Sequence, residues 1–516
     1  KIHQLILKSN EYIVIHLPQQ YIQMGIVQRQ TIRGTAWSYL GAILGFVNII
    51  ILSPRIFTTG EIGVVQLLIS FATILAQFSG LGFTNVINRL FPWFRDGEGR
   101  HHGFLGLALA ITLAGFIVAL LVLKFYGPHF VEANMERSPL ITEYSLYLPA
   151  LLFITLLFSL LDNYNKVLYD AVLGTFLREF LFRVFNLALI CLFWAGIIDF
   201  DGYVFGYVVS QGILLVVIFI NLLKRGEISL KLEPGHITPH LRREIIILCF
   251  FGILTGITTV TLTSLDKLFV NRYLGEAEVG IYSIASYFAV LITLPGRSVS
   301  KISIPFLAEA WKKDDLATID YLYSRSSIGQ YTVGLLIFIG LMVNMDNIFR
   351  LLPDAYSGSG AVIILIGLGY LVSVSAGVNS VLLSTSSLYR FQTWLMLVLI
   401  GLFVITNVIF IPLLGITGAA LAAMVSNIIY SLLGVLLTGR RFGLWPYSMT
   451  HLKITLLGLT AMIAGYLIPQ LSLVPDILLR SLLVTLIFAA GVWYWKLSDD
   501  FTGMADRVTE WFRKRL

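Results

Sequence analysis

Charge is scarce in this chain. Only 13% of its 516 residues are Asp, Glu, Lys or Arg, against about 25% in a typical soluble domain. So little charge cannot cover a soluble body of this length. The 57% of residues that are apolar or aromatic must face something other than water. Cysteine is nearly absent. Cys191 and Cys249 both lie in apolar runs, which argues against a disulfide framework or a cysteine metal cluster. Low-complexity tracts are missing, and no loop is long enough to hold a soluble domain. There is no nucleotide-binding P-loop, no zinc motif and no nucleophile–His–acid arrangement. No cofactor and no catalytic residue are therefore expected. The histidines show no metal-ligand spacing, and His101-His102 reads as a solvated loop pair.

What the chain has in abundance is long apolar segments. A membrane-crossing helix needs about 20 apolar residues to cover roughly 30 Å of hydrocarbon. Fourteen segments qualify: 35–54, 62–83, 103–123, 146–165, 178–198, 203–223, 245–265, 279–303, 330–349, 361–383, 391–411, 416–437, 452–470 and 477–496. The net charge of +7 sits between them, so topology explains it and nucleic acid is not expected as a partner. With the N-terminus inside, the inward segments hold Arg29, Arg33, Arg89, Arg95, Arg100, Lys166, Lys224, Arg225, Lys231, Arg242, Arg243, Lys312, Lys313, Arg325, Arg390, Arg440, Arg441 and the Arg513-Lys514-Arg515 tail, among others. The outward segments hold only Arg55, Lys124, Arg137, Lys267, Arg272, Arg350 and Arg480. The split is roughly four to one, as the positive-inside rule expects. Both termini are then cytoplasmic. Residues 1–29 form a tail, and the first Met, Met24, suggests that 1–23 are dispensable upstream sequence.

A weak repeat runs at an offset of 217 residues. Arg55 precedes Glu61-Ile62-Gly63-Val64, and Arg272 precedes Glu278-Val279-Gly280-Ile281 at the same interval. Six spans separate the copies, an even number, so the two halves keep one orientation. This predicts lobes at 30–223 and 245–437, a cytoplasmic linker at 224–244, two further helices at 438–496 and a basic tail at 497–516. Transporters built of such halves hold substrate between them.

The stretch Ser264-Leu265-Asp266-Lys267-Leu268-Phe269-Val270-Asn271-Arg272-Tyr273-Leu274-Gly275, running into Val279-Gly280-Ile281-Tyr282-Ser283-Ile284-Ala285, resembles a known helix junction. It is similar to the seventh-to-eighth helix junction of the polysaccharide and oligosaccharide flippases. They belong to the multidrug/oligosaccharidyl-lipid/polysaccharide exporter superfamily. The first copy departs from the pattern at Ser53-Pro54-Arg55 and Thr58-Thr59-Gly60. The resemblance implies an all-α, fourteen-helix, bilobed carrier in a bacterial inner membrane. It implies that the cargo is an undecaprenyl-diphosphate-linked oligosaccharide for O-antigen, capsule or exopolysaccharide. Membrane lipids and glycan polymerase machinery are the implied partners.

Function should lie on polar groups that membrane burial makes costly. Arg297 and Lys301 share a helix face just after Pro295-Gly296, a cationic stripe beside a kink that suits a diphosphate or an acidic sugar. The plain alternative is that both snorkel to the inner interface. Arg178, Glu179 and Arg183 open the fifth span; Glu179 and Arg183 read as an ion pair, with Arg178 and Arg183 candidates for a cavity. Asp162 and Lys166 have the same spacing. Asp162, Asp266 and Lys267 are candidates for lobe closure. Asn48 is a candidate ligand, although an interhelical hydrogen bond is the commoner use of such a residue; Asn379 reads as structural. Three other functions fit less well. A cation-coupled drug exporter should bury acids in the first lobe, a glycan polymerase or ligase should carry a large outward loop, and a scaffold needs no buried charge.

Overall fold

The computed structural model describes residues 19–96, 101–134, 136–231, 238–260, 264–498 and 503. Residues 1–18 and nearly all of the expected tail at 497–516 lie outside the described residues. The fold is 87% helical, with no strand among the described residues.

Fourteen helical rods follow one another. They are α1 (19–56), α2 (Thr59–Ser79, resuming as Phe83–Phe94), α3 (Phe104–Asn134), α4 (Pro139–Val167) and α5 (172–194). Next come α6 (Phe200–Lys224), α7 (Pro239–Val260, resuming as Asp266–Leu274), α8 (Glu276–Lys312), α9 (Leu316–Val343) and α10 (Asp354–Ser375). The chain closes with α11 (Tyr389–Leu414), α12 (Ile416–Phe442), α13 (Met449–Tyr466) and α14 (Leu473–Tyr494). Among the described residues, eleven helices are long and apolar enough to cross a membrane. Two of the rods outside that set are polar for local reasons: α5 carries Arg178, Glu179 and Arg183, and α13 carries His451 and Lys453. The protein is a multi-pass membrane protein.

The rod ends follow ordinary capping chemistry. Thr58 and Glu61 form a reciprocal capping box at the start of α2, and Asp199 accepts from Gly202 N at the start of α6. Gly415, at φ 61°, makes the tight turn from α11 to α12. The interruption of α2 at residues 80–82 has a packing cause. A Cβ on Gly82 would lie 2.2 Å from Cys249 O, so the backbones of α2 and α7 touch there.

The two halves meet along α2 and α8. The seam is built on the paired glycines of the repeat. A Cβ on Gly63 would sit 1.8 Å from Glu276 O, and one on Gly280 would sit 2.0 Å from Thr59 O. Absent side chains let the two backbones approach, as small residues do in membrane helix pairs. Polar pins surround the same end. The Glu276 carboxylate accepts from Leu140 N at 3.1 Å and Ile141 N at 2.9 Å. Ser138 Oγ donates to Asn271 Oδ1 at 2.8 Å, and Arg55 donates to Leu351 O at 3.1–3.2 Å. Every partner here belongs to a junction that the loop charges mark as outward. At the opposite end, the last stretch of α8 packs on α9 and on Asn379–Thr385 of its own half. The α2–α8 contacts therefore gather at the Gly63–Gly280 end, while α7 holds the other end of α2 at Gly82.

One expectation is corrected. His101 is not solvated: it is 3% exposed, with Nε2 2.7 Å from Glu227 Oε2 and Nδ1 accepting from Asp96 N at 3.2 Å. The Glu227 carboxylate, the Asp96 backbone and the Phe91 ring hold it in place.

Candidate substrate chamber

The amino-terminal half encloses a chamber of about 300 Å³. Its walls come from α1, α2, α4, α5 and α6, and Ile284 and Tyr287 of α8 complete it. Three of the residues expected to bind substrate, Asn48, Arg178 and Arg183, line it together.

The wall between α1 and α5 is irregular on both sides. α1 widens into a π-helical turn at Val47–Leu52, and α5 does so at Phe176–Leu181. Such turns insert a residue into the ladder and re-aim side chains, often at functional sites. The helices touch through glycine: a Cβ on Gly41 would lie 2.0 Å from Glu179 O, and one on Gly45 would lie 2.2 Å from Arg183 Nη1. Arg183 lies flat on this bare face. It donates to Gly41 O and pairs with Glu179 Oε2 at 3.0 Å. Asn48 is 1% exposed and donates from Nδ2 to Arg183 O at 2.8 Å; its buried Oδ1 has no partner.

The remaining charges of the chamber divide clearly. Glu61 is occupied by the Thr58 backbone and hydroxyl in its capping box. Glu179 is paired. Arg178 is exposed and makes no hydrogen bond or ion pair among the described residues. Around these stand the amides of Gln66, Asn186 and Gln211 and the rings of Phe57, Phe182, Tyr203 and Tyr207.

Lys267 meets the chamber at its α2–α8 wall. Lys267 Nζ donates to Gln66 Oε1 at 2.9 Å, and Tyr287 OH donates to the same oxygen at 3.1 Å. This contact crosses between the halves. Asp266 is buried, accepting from Lys267 N at 2.9 Å and Tyr282 OH at 2.8 Å, which anchors the second part of α7 on α8. Neither the Gln66 contact nor the α1–α5 π turns could be read from sequence, because both depend on partners more than a hundred residues away.

Arg297 and Lys301 do not line the chamber. They follow a tightened turn at Leu291–Thr293, after which α8 resumes with Pro295 in its first turn. Both are exposed, and neither has a hydrogen bond or ion pair among the described residues. Tyr370 of α10 lies within electrostatic reach of both Arg297 and Asp266. Asp162 stands apart near the end of α4, paired with Lys166 at 2.6 Å. Its Oδ1 faces the backbone of Gly174, where a Cβ would lie 1.7 Å away. It touches neither Asp266 nor Lys267.

One Ser–His contact tests for hydrolytic chemistry. His451 Nε2 is 2.9 Å from Ser327 Oγ, while its Nδ1 accepts from Ser448 N at 3.3 Å. An accepting Nδ1 places the ring proton on Nε2, and Ser327 donates its own proton to Ser375 O. The ring therefore donates to the serine and cannot deprotonate it.

A family model described as "Polysaccharide biosynthesis protein" matches residues 28–311, more than half of the chain. The "Probable flippase AglR" of Haloferax volcanii is 25% identical over 340 residues, 64% of this chain and 66% of that relative, just under two thirds of its length. Among solved structures, "Lipid II flippase MurJ, inward closed conformation" superposes with TM-score 0.73 at 15% identity, over 90% of this chain and 98% of that one. An inward-facing multidrug resistance MATE family transporter of the MOP superfamily gives TM-score 0.61 at 14% identity, over 79% and 94%. At these identities the structural matches speak for the fold alone.

Proposed function

The chain belongs to the polysaccharide biosynthesis protein family, and we propose that within it the protein flips an undecaprenyl-diphosphate-linked oligosaccharide across a bacterial inner membrane. The observation that carries the reading is the unpaired Arg297 guanidinium on α8, inside a membrane helix and beyond the tightened turn. An anionic, hydrated head group needs a polar route with compensating charge, while its lipid tail stays in the bilayer. An Arg fork holds two phosphate oxygens at once. Arg297 lies 21 residues into α8, about 31 Å along its axis at 1.5 Å per residue. That depth suits a diphosphate entering from the inner leaflet, with Lys301 one turn nearer the inner surface.

The basic loops put both termini in the cytoplasm and the Gly63–Gly280 end outside. Alternating access is a rocking of residues 30–223 against 245–437 about the α2–α8 seam. A glycan polymerase on the outward side would consume the product. A cationic drug is a poorer cargo, because both acids of the chamber are engaged and Arg178 is left as the uncompensated charge.

Arg297→Ala should leave the protein inserted at normal abundance and stop glycan export in a flippase-deficient strain. Arg297→Lys should keep part of the activity, since charge survives and the fork does not. Normal export by Arg297→Ala at normal abundance would sink the role and leave Arg297 as an interfacial anchor.

A further inference from the structure

We propose that the inner end of the α11–α12 hairpin binds an acidic phospholipid of the cytoplasmic leaflet, its headgroup phosphate held by Arg390, Arg440 and Arg441. The proposal goes beyond the flippase reading and uses only the orientation that the loop charges give. Between Asp354 and Asp476 the chain carries no Asp or Glu, and its Lys and Arg in that stretch are Arg390, Arg440, Arg441 and Lys453. The repeat shows what is missing there. At the offset of 217 residues, α5 and α6 correspond to α11 and α12, and Val172 opens α5 where Tyr389 opens α11. The first half balances its inner end with Asp170, which pairs with Arg225 at 3.2 Å. The second half has Ser387 at the place of Asp170. Arg390, Arg440 and Arg441 are all exposed, and none has an ion pair among the described residues. The neighbouring end of α8 does not supply the missing acid: Glu309 pairs with Lys313, and Asp315 caps α9 at Thr318. Asp314 forms no ion pair with any of the three arginines among the described residues.

Aromatic rings hold these cations in position. The Arg441 guanidinium lies 6.0 Å from the centroid of the Phe391 ring, which ties the end of α12 to the start of α11. Arg390 donates from Nε to the Tyr389 hydroxyl at 3.2 Å. Beside them the Trp445 ring packs on the bare backbone of Gly439, and Phe442 packs on Trp311 with centroids 4.6 Å apart. The surface that leads away from the arginines is apolar. Trp394 and Val398 follow Arg390 on one face of α11, and Leu436 and Leu433 precede Arg440 on one face of α12. All four are exposed, so these faces meet acyl chains. Each stripe thus runs from hydrocarbon to a guanidinium at the inner interface, with Trp394 in the place of an interfacial aromatic. A phospholipid has the same order, acyl chains below a phosphate, and basic clusters on the cytoplasmic side of membrane helices suit acidic headgroups. Guanidinium forks offer the phosphate paired donors. Helix capping does not account for the trio. The dipole of α12 favours Arg440 and Arg441 at its end, while that of α11 disfavours Arg390 at its start.

The test is native mass spectrometry of the full chain, released from nanodiscs of equimolar phosphatidylglycerol and phosphatidylcholine. The wild-type chain should retain phosphatidylglycerol over phosphatidylcholine by about fivefold or more. The triple variant Arg390→Gln, Arg440→Gln, Arg441→Gln should lose that preference. Arg225→Gln, a charge removal at the corresponding end of the first half, should keep it. Phe391→Leu removes the ring under Arg441 and leaves every charge in place; it should weaken the preference, and it decides the matter if the triple variant fails to insert. No preference in the wild type, or an unchanged preference in the triple variant or in Phe391→Leu, would overturn the proposal. An equal loss in Arg225→Gln would make the preference a property of the whole basic inner surface and overturn the site. Displacement of the bound phosphatidylglycerol by equimolar undecaprenyl diphosphate would assign the arginines to the cargo and overturn it too.

Discussion

Arg480 is held by Asp476 Oδ1 at 2.9 Å, by Ile468 O at 2.8 Å and by Gly465 O at 3.3 Å. Asp476 in turn accepts from Asn347 Nδ2 at 2.7 Å. Both ions are buried, at 2% and 6% exposure, so the pair clamps α14 to α13 and to the end of α9. Removing one partner strands the other in a dry site, a change that typically costs 3–5 kcal/mol. Asp476→Ala should therefore destabilise the protein by roughly 3 kcal/mol, read as a lower unfolding midpoint in mixed micelles. The double change Asp476→Leu with Arg480→Met should recover most of that loss; equal midpoints for the single and double variants would refute a strained, unpaired Arg480. At this scale, sequence was informative where both partners lay on one helix. Glu179–Arg183 and Asp162–Lys166 are visible as i,i+4 spacings and both pairs form. Asp476–Arg480 has the same spacing and escaped notice because Arg480 reads as an outward loop charge at the edge of a span. His101 looked solvated for a similar reason: its partner Glu227 lies 126 residues away.

The helices themselves were the most legible feature. Apolar runs of membrane length are dictated by the bilayer, whatever the tertiary fold, and each of the fourteen expected spans has its rod. What hydropathy could not reveal is where the rods break, since those breaks answer to neighbours. The gap at residues 80–82 answers to Cys249 and Gly252, and the π turns of α1 and α5 each pack on the regular part of the other helix. The repeat was the exception, because its glycines sit at equivalent places in both halves and turn out to face each other. That makes the α2–α8 seam testable as an element. Gly63→Val would drive a side chain into the Glu276 carbonyl and force the helices apart. Transport should fall at least tenfold, and a cysteine placed at Thr59 should label faster with an impermeant maleimide. Unchanged transport and labelling would mean that the seam is slack enough to absorb a side chain.

The whole molecule is closed at one end by contacts that belong to different halves: Gly63 on Glu276, Arg55 on Leu351, Lys267 on Gln66. Nothing covalent joins them, and each is individually weak. Polar contacts of this kind contribute about 0.5–1.5 kcal/mol net each, so no single one of them holds this end closed. If the halves rock, this end must open once per cycle. Ser138 and Asn271, whose side chains meet at 2.8 Å, offer the handle. Ser138→Cys with Asn271→Cys, in a background with Cys191→Ser and Cys249→Ala, would be joined by a short bifunctional methanethiosulfonate reagent that cannot cross membranes. Added outside intact cells, the reagent should join the pair and stop glycan export. A reducing agent should restore export, and each single-cysteine variant should continue to export throughout. Cross-linking only from the cytoplasmic side would reverse the assigned orientation. Full export by the cross-linked protein would show that the end marked by Gly63 and Gly280 never needs to open, and the rocking of one half against the other would have to be abandoned.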